Sequence, residues 1–242
     1  MGRATALAFA AAGADVVAAD IAVEGEGIVD EIVVAGARGA FVRTDVSQSD
    51  DVQAAVAVAL EKFGGLHCAV NAAAIENETT FLADCEESRF DQLFAVNVKS
   101  IFLCLKYQMR AMLAGEAGGA IVNIASTNSF RPRPKQSVYT ATKHAVVGMT
   151  KTAAMEYAGE GIRINAIAPG AIDTPMLRGA MAARGSKEQD VVAKLSLDRP
   201  PRHAGGDRRG GTLVVLPRSV LHGRARPCCR RRVPGSLRNV QL

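Results

Sequence analysis

The sequence predicts an α/β domain built on a doubly wound parallel sheet. Strand-length apolar runs alternate with helix-length amphipathic segments from the start of the chain to about residue 168, and polar residues recur at the ends of the strands. Hydrophobic residues make up 48% of the 242, enough for a sizeable core in one domain. Repeated β–α alternation with apolar strands calls for parallel strands with helices on both faces.

Each element follows from its own signals. Small residues over 3–12 read as a helix ended by Gly13, and 15–20 (ADVVAAD from Ala14) as a buried strand. A helix is expected over roughly 24–35 and a strand near 40–43. Ser49 is placed to cap a helix running to Phe63, with Gly64-Gly65 ending it. Leu66 to Val70 forms the next strand. Residues 88–113 carry Phe90, Leu93, Phe94, Val98, Phe102, Leu105 and Met109 at helical spacing. Ala120 to Ala125 is a strand, Ser137 to Ala158 a long helix, and Ile162 to Ala168 the last readable strand.

Charge divides the chain. Of 29 Lys and Arg, eleven (all Arg) lie in residues 199–242, against one of the 24 acids, Asp207; residues 1–198 therefore hold 18 basic and 23 acidic side chains. An acidic body of 1–198 and an Arg-rich tail of 199–242 are the expected units. No apolar run is long enough for a membrane span. The five cysteines, 68, 85, 104, 228 and 229, show no metal spacing, and a reduced, cytoplasmic setting is expected.

Ligands on parallel sheets bind at the carboxyl ends of strands. Asp20 closes the first visible strand, eighteen residues after Gly2. A carboxylate there can accept from a ribose 2′-hydroxyl and repel a 2′-phosphate, which favours NAD over NADP; an Asp at a strand end also serves as a helix N-cap. Asp45-Val46 follows the next strand, where a turn has the same composition. Asn71 follows Val70, where an Asn also braces turns, and Pro169-Gly170 follows the last strand.

Tyr139 and Lys143, four residues apart, share a helix face, and Ser126 lies thirteen residues upstream at the end of an apolar run. A nearby ammonium favours phenolate and lowers a tyrosine pKa from its usual value of about 10, as a general acid–base near neutral pH requires. The same spacing also occurs on solvated helix faces.

Taken in order, Asn97, Ser126, Tyr139 and Lys143 resemble the short-chain dehydrogenase/reductase family, and the resemblance spans residues 1 to about 198. It implies a Rossmann-like fold and an NAD-dependent oxidoreductase that interconverts a secondary alcohol and a ketone. By this resemblance Tyr139 is the acid–base, Ser126 orients the substrate oxygen, Lys143 tunes Tyr139 and binds the nicotinamide ribose, and Asn97 holds a backbone bend and a water leading to Lys143. Asp20 would hold the adenosine ribose with Ile21 beside it, and Asp45 and Val46 would meet the adenine. Asn71, Ala72 and Ala73 would lie against the cofactor, with Pro169, Gly170, Ile172 and Thr174 at its nicotinamide end. Gly2 fits the last glycine of the family's phosphate turn, and Arg3 opens the helix.

The sequence departs from the family pattern in three places. The family's Asn-Asn-Ala-Gly stands here as Asn71-Ala72-Ala73-Ala74, and alanine fits the glycine position only with φ below zero. The first strand and two phosphate-turn glycines are absent, so the fold is expected to lack its central first strand. The family's last helix and strand are absent too. Read from the second base of the Gly205 codon, the segments from Gly205 to Leu216 and from His222 to Val233 permit the expected helix and strand, which suggests a one-base frameshift between about Arg199 and Arg202. The rival reading, phosphate contact through the arginines, lacks aromatic residues for base stacking. Residues 173–198 fit a substrate loop in which Met176, Leu177 and Met181 line an apolar pocket or pack a helix. A homo-oligomer through helices 88–113 and 137–158 is expected, with no membrane and no nucleic acid as partner. The substrate class is left open.

Overall fold

Helix α1 (Gly2–Ala11) opens the chain, and its small residues let it lie close against α2 (Ile28–Val34). Ala10, Ile28 and Ile32 are buried between these helices and the strands β1 (Val16–Asp20) and β2 (Gly39–Arg43). Val16 and Ala18, on one face of β1, pack there together with Phe41; the alternate residues turn to the other face. This computed structural model describes residues 1–76, 78–115, 118–170, 172, 174–183 and 185. The arginine-rich tail 199–242 lies outside them, as does most of the 173–198 loop after α7.

The helix expected from residue 24 begins later. Val23–Gly27 forms a tight 3-10 turn, in keeping with Gly25 and Gly27, and the α-helix starts at Ile28. Helix α3 (Ser49–Phe63) ends as expected, with Gly64 at φ 78° in the left-handed region. Its start corrects the sequence reading. Gln48 occupies the cap position without a side-chain bond, and the Ser49 hydroxyl instead meets Tyr107 Oη at 2.6 Å. Ser49 therefore ties α3 to the next layer.

The core sits around β3 (Cys68–Asn71), β4 (Gly119–Ile124) and β5 (Ile162–Ile167). Ile121 is fully buried, and Ile162 and Ile164 are nearly so; they pack with Ile101, Leu105, Met109 and Met112 of α5 (Ser100–Ala114) and Val146 and Ala153 of α6 (Ser137–Tyr157). The turns into β4 and β5 meet at Gly118 and Gly161, where a Cβ on Gly118 would stand 2.6 Å from the Gly161 carbonyl oxygen, so only glycine fits at 118.

Every strand pair among the described residues is parallel. The described strands fall into two sheets, β1–β2 and β3–β4–β5, and β1 does not pair with β3. Helix α3 bridges the two, touching β1 and β2 on one side and α5 on the other, with Val52 packed against Leu103 and Cys104. A Cβ placed on Gly2 would come to 3.9 Å from the Cβ of Ala72, the residue after β3.

The expected long helix over 88–113 is continuous in direction but not in type. α4 (Glu87–Phe94) passes through a π-helical turn, Ala95–Lys99, into α5. A π-turn inserts a residue into the helical ladder and commonly marks a functional position; this one holds Asn97. Helix α7 (Pro175–Ala183) is capped by Thr174, whose Oγ1 accepts from the Leu177 amide at 3.2 Å.

Candidate active site

The first turn of α6 carries Tyr139, and Lys143 follows one turn on. Lys143 is 3% exposed, and its Nζ lies 5.7 Å from the centre of the Tyr139 ring. Nζ donates to the Ile124 carbonyl at the end of β4, 2.9 Å away. A bare ammonium at such depth is costly, and burial pushes the Lys143 pKa down to about 8. At neutral pH it still carries its proton for most of the time.

Ser126 lies two residues beyond the end of β4, after Ala125. Its Oγ accepts from the Asn128 amide at 3.2 Å and opens the 3-10 turn Thr127–Ser129, which is pinned to α6 by the bond from Ser129 Oγ to the Lys143 carbonyl, 2.8 Å. Asn97, 1% exposed, grips the backbone of Ile75 at both groups: Oδ1 accepts from the Ile75 amide at 2.8 Å and Nδ2 donates to its carbonyl at 2.9 Å. Nδ2 also reaches Thr142 Oγ1 at 3.3 Å, and Thr142 Oγ1 donates to the Tyr139 carbonyl at 2.7 Å. The four residues singled out in the sequence thus stand on segments joined by hydrogen bonds around the N-terminus of α6.

Asn71, the last residue of β3, is 8% exposed. Its side chain exchanges bonds with Gln108 (2.7 and 3.0 Å) and donates to Asn123 Oδ1 (2.8 Å), and Asn123 Nδ2 donates to Thr150 (2.9 Å). Asn71 is a buried tie across α5, β3, β4 and α6, which a single chain of polar groups crosses fully paired. Ala72, Ala73 and Ala74 all avoid positive φ, since Lys135 is the only described non-glycine residue there. Alanine is therefore compatible with the backbone after β3.

The nucleotide-side residues stand at the ends of β1 and β2. Asp20 is exposed, with Oδ1 accepting from the Ala22 amide at 3.0 Å, and Ile21 beside it is 59% exposed. Asp45 Oδ1 accepts from Ser47 at both its amide (2.9 Å) and hydroxyl (2.7 Å), which hold the carboxyl below its usual range. That oxygen is thereby engaged in a turn, with Val46 inside it. Gly2 opens α1, whose first amides lack helical partners, as a helix N-terminus must. Pro169 accepts from the Thr127 amide at 3.0 Å, which ties the stretch after β5 to the Ser126 turn; Gly170 is exposed, and Ile172 and Thr174 are half-buried.

Glu78 escapes sequence reasoning. It is 3% exposed and accepts from the Val138 amide at 3.1 Å and the Tyr139 amide at 2.5 Å. Its neighbour Glu76 accepts from Gln136 Nε2 at 2.8 Å. An acidic pair two residues apart in a polar loop carries no periodic or motif signal of burial.

A nicotinamide dinucleotide fits the acceptor and donor groups that stand at the two ends of this site. Asp20 offers an exposed carboxylate at a strand end, and Lys143 an ammonium beside a tyrosine. The α1 N-terminus and Gly2 are the described groups suited to the diphosphate between them.

Comparison with known proteins agrees with the geometry. The family model described as Enoyl-(Acyl carrier protein) reductase matches residues 1–202. A short chain dehydrogenase/reductase of Aspergillus oryzae is 40% identical over 200 residues, covering 81% of this chain and 76% of the relative. The 2,5-dichloro-2,5-cyclohexadiene-1,4-diol dehydrogenase of Sphingobium indicum is 45% identical over 182 residues, covering 75% and 72%. The crystal structure of levodione reductase superposes with a TM-score of 0.76 at 34% identity, covering 81% of this chain and 78% of that one. A structure titled ElxO with NADP bound superposes at 0.71 with 30% identity, covering 79% and 78%.

Proposed function

The chain belongs to the short-chain dehydrogenase/reductase family of oxidoreductases, with a Rossmann-like fold, and on that premise we propose that it interconverts a secondary alcohol and a ketone with NAD, using Ser126, Tyr139 and Lys143. The observation that carries this reading is the buried Lys143 ammonium standing 5.7 Å from the Tyr139 ring. That buried cation favours the phenolate by charge attraction. Tyr139 Oη takes the hydroxyl proton in oxidation and returns it in reduction. Ser126 holds the same substrate oxygen by hydrogen bonding, and Asn97 keeps the backbone on which α6 rests. When bound, the nicotinamide supplies the hydride acceptor or donor. Asp20 holds the adenosine ribose, and Lys143 the nicotinamide ribose.

NAD rather than NADP is the proposed partner because Asp20 presents an exposed carboxylate at the end of β1. The NADP-bound relative leaves that choice to experiment. NADH fluorescence titration of the chain, which has no tryptophan background, is expected to show binding tighter than NADPH, with the preference shrinking about tenfold or more in Asp20→Ala. Equal affinities in the wild-type chain would remove the assignment. The diol named for the Sphingobium relative points to a cyclic secondary alcohol as the first substrate to try.

A homo-oligomer is proposed through α5 and α6. Phe102, Leu105, Met109, Leu113, Met149 and Tyr157 line a cavity of about 480 Å³ on this face, and Phe102 is 52% exposed. An apolar face of this kind suits a second copy of the chain. A cytoplasmic setting is part of the same reading; no helix of the described residues is long and apolar enough to cross a membrane.

A further inference from the structure

We propose that Glu78 is a positioning residue that fixes the first turn of α6, and with it the place of Tyr139. The inference rests on the reading of Tyr139 as the proton-transferring group.

The N-terminus of α6 needs an outside partner. Gln136 occupies the cap position and makes no side-chain cap bond, so the first amides of the helix have no local acceptor. They lie in a buried place, since Gln136 is 6% and Val138 5% exposed. Glu78 answers both amides at once. Oε1 takes Val138 at 3.1 Å and Oε2 takes Tyr139 at 2.5 Å, so each carboxylate oxygen serves one amide. A buried carboxylate is tolerable only where it is hydrogen-bonded, and a helix N-terminus provides amide donors together with the positive end of the dipole.

The same segment reaches the other residues of the site. Glu76 accepts from Gln136 Nε2, and Gln136 Oε1 accepts from Asn128 Nδ2 at 2.6 Å. The Asn128 amide in turn donates to Ser126 Oγ. Asn97 grips Ile75 at the root of the segment. One stretch after β3 therefore fixes Tyr139 through its backbone and Ser126 through a side-chain relay. Glutamine at 78 keeps the volume and one acceptor but sets an NH2 group against an amide donor, so Glu78→Gln breaks one of the two bonds at constant size. Glu78→Ala breaks both.

The test uses the full chain and has two arms. The first measures amide exchange by mass spectrometry over residues 137–143, with α3 as the internal control. In Glu78→Gln, the 137–143 peptide is expected to exchange faster while α3 is unchanged; unchanged exchange at 137–143 overturns the proposal. The second arm measures NAD-dependent oxidation of cyclohexanol. The turnover number is expected to fall about 10-fold in Glu78→Gln and about 100-fold in Glu78→Ala, as a small misplacement of a reacting group costs, with alcohol KM and NADH affinity within about threefold. Faster exchange with unchanged turnover makes Glu78 merely structural and also overturns it. Should Glu78→Ala fail to fold, Glu78→Gln alone decides. Should the wild-type chain show no turnover, it is the proposed function that fails. The positioning claim then rests on the 13Cζ resonance of Tyr139, which is expected to move in Glu78→Gln while Tyr107 and Tyr157 stay put; a stationary Tyr139 resonance refutes it.

Discussion

The two sheets of this protein differ in how they are held. In the β3–β4–β5 half, Ile121, Ile162 and Ile164 are buried against α5 and α6, and the polar groups that enter the core are paired from Asn71 through Asn123 to Thr150. In the β1–β2 half, no residue of β1 is fully buried, and the buried apolar side chains around the two strands are Ala10, Ile28, Ile32 and the small Ala40 of β2. Among the described residues, the ion pairs of Arg3 with Glu31 and Arg38 with Asp15 lie on that half and are exposed. Exposed pairs contribute little. Hydrogen bonding from Arg38 holds the Asp15 carboxyl below its usual value, but in open solvent this adds little to the fold. The comparison separates two jobs. The residues proposed for proton transfer stand on the well-packed half, and those proposed for adenosine stand on the lightly packed one, with α3 touching both.

The largest effect that would test this contrast is a pair of core truncations. Ile121→Ala should destabilise the chain by about 2–5 kcal/mol, because it leaves a cavity among side chains that are already closely packed. Val17→Ala on β1 should cost no more than about 1 kcal/mol, because its methyl groups are only half removed from water. Urea unfolding followed by circular dichroism measures both, and equal costs would erase the distinction between the halves.

Lys143 sharpens it further. Its folded pKa of about 8 lies below the ordinary 10.5. Below pH 8 both states hold the proton, and the folded state bears the full penalty of a buried charge. Between about 8 and 10.5 the unfolded chain binds more protons, so the contribution of Lys143 to stability rises with pH. Lys143→Met should therefore gain relative to wild type near neutral pH, and that advantage should shrink through this window. A difference between the two chains that does not change with pH would contradict the buried ammonium. The smallest effect is expected at the surface: Arg38→Ala should shift stability by less than about 1 kcal/mol, and a larger loss would mean that the β1–β2 half depends on its ion pairs.

Much of this was legible in the sequence, for reasons that differ by element. The strands and long helices follow from apolar periodicity, and Gly64 closed α3 because a left-handed cap favours glycine. Tyr139, Lys143, Ser126 and Asn97 were found because a short motif has a fixed spacing. Three features were hidden because they depend on long-range contacts. Ser49 reads as a helix cap, yet its hydroxyl finds Tyr107, 58 residues away. The π-turn at Asn97 sits inside an unbroken helical pattern that shows no sign of the extra residue. Glu78 has the composition of a solvated loop and becomes buried only when α6 brings its bare amides to it.

Tyr139 is proposed to transfer the proton, while Asp20 and Lys143 hold the dinucleotide. The direct measurement is NAD-dependent oxidation of a cyclic secondary alcohol by wild type and Tyr139→Phe, with NADH titrated into both. Loss of turnover by roughly 100- to 10,000-fold, with NADH affinity unchanged, is the predicted result. Turnover retained in Tyr139→Phe would contradict it.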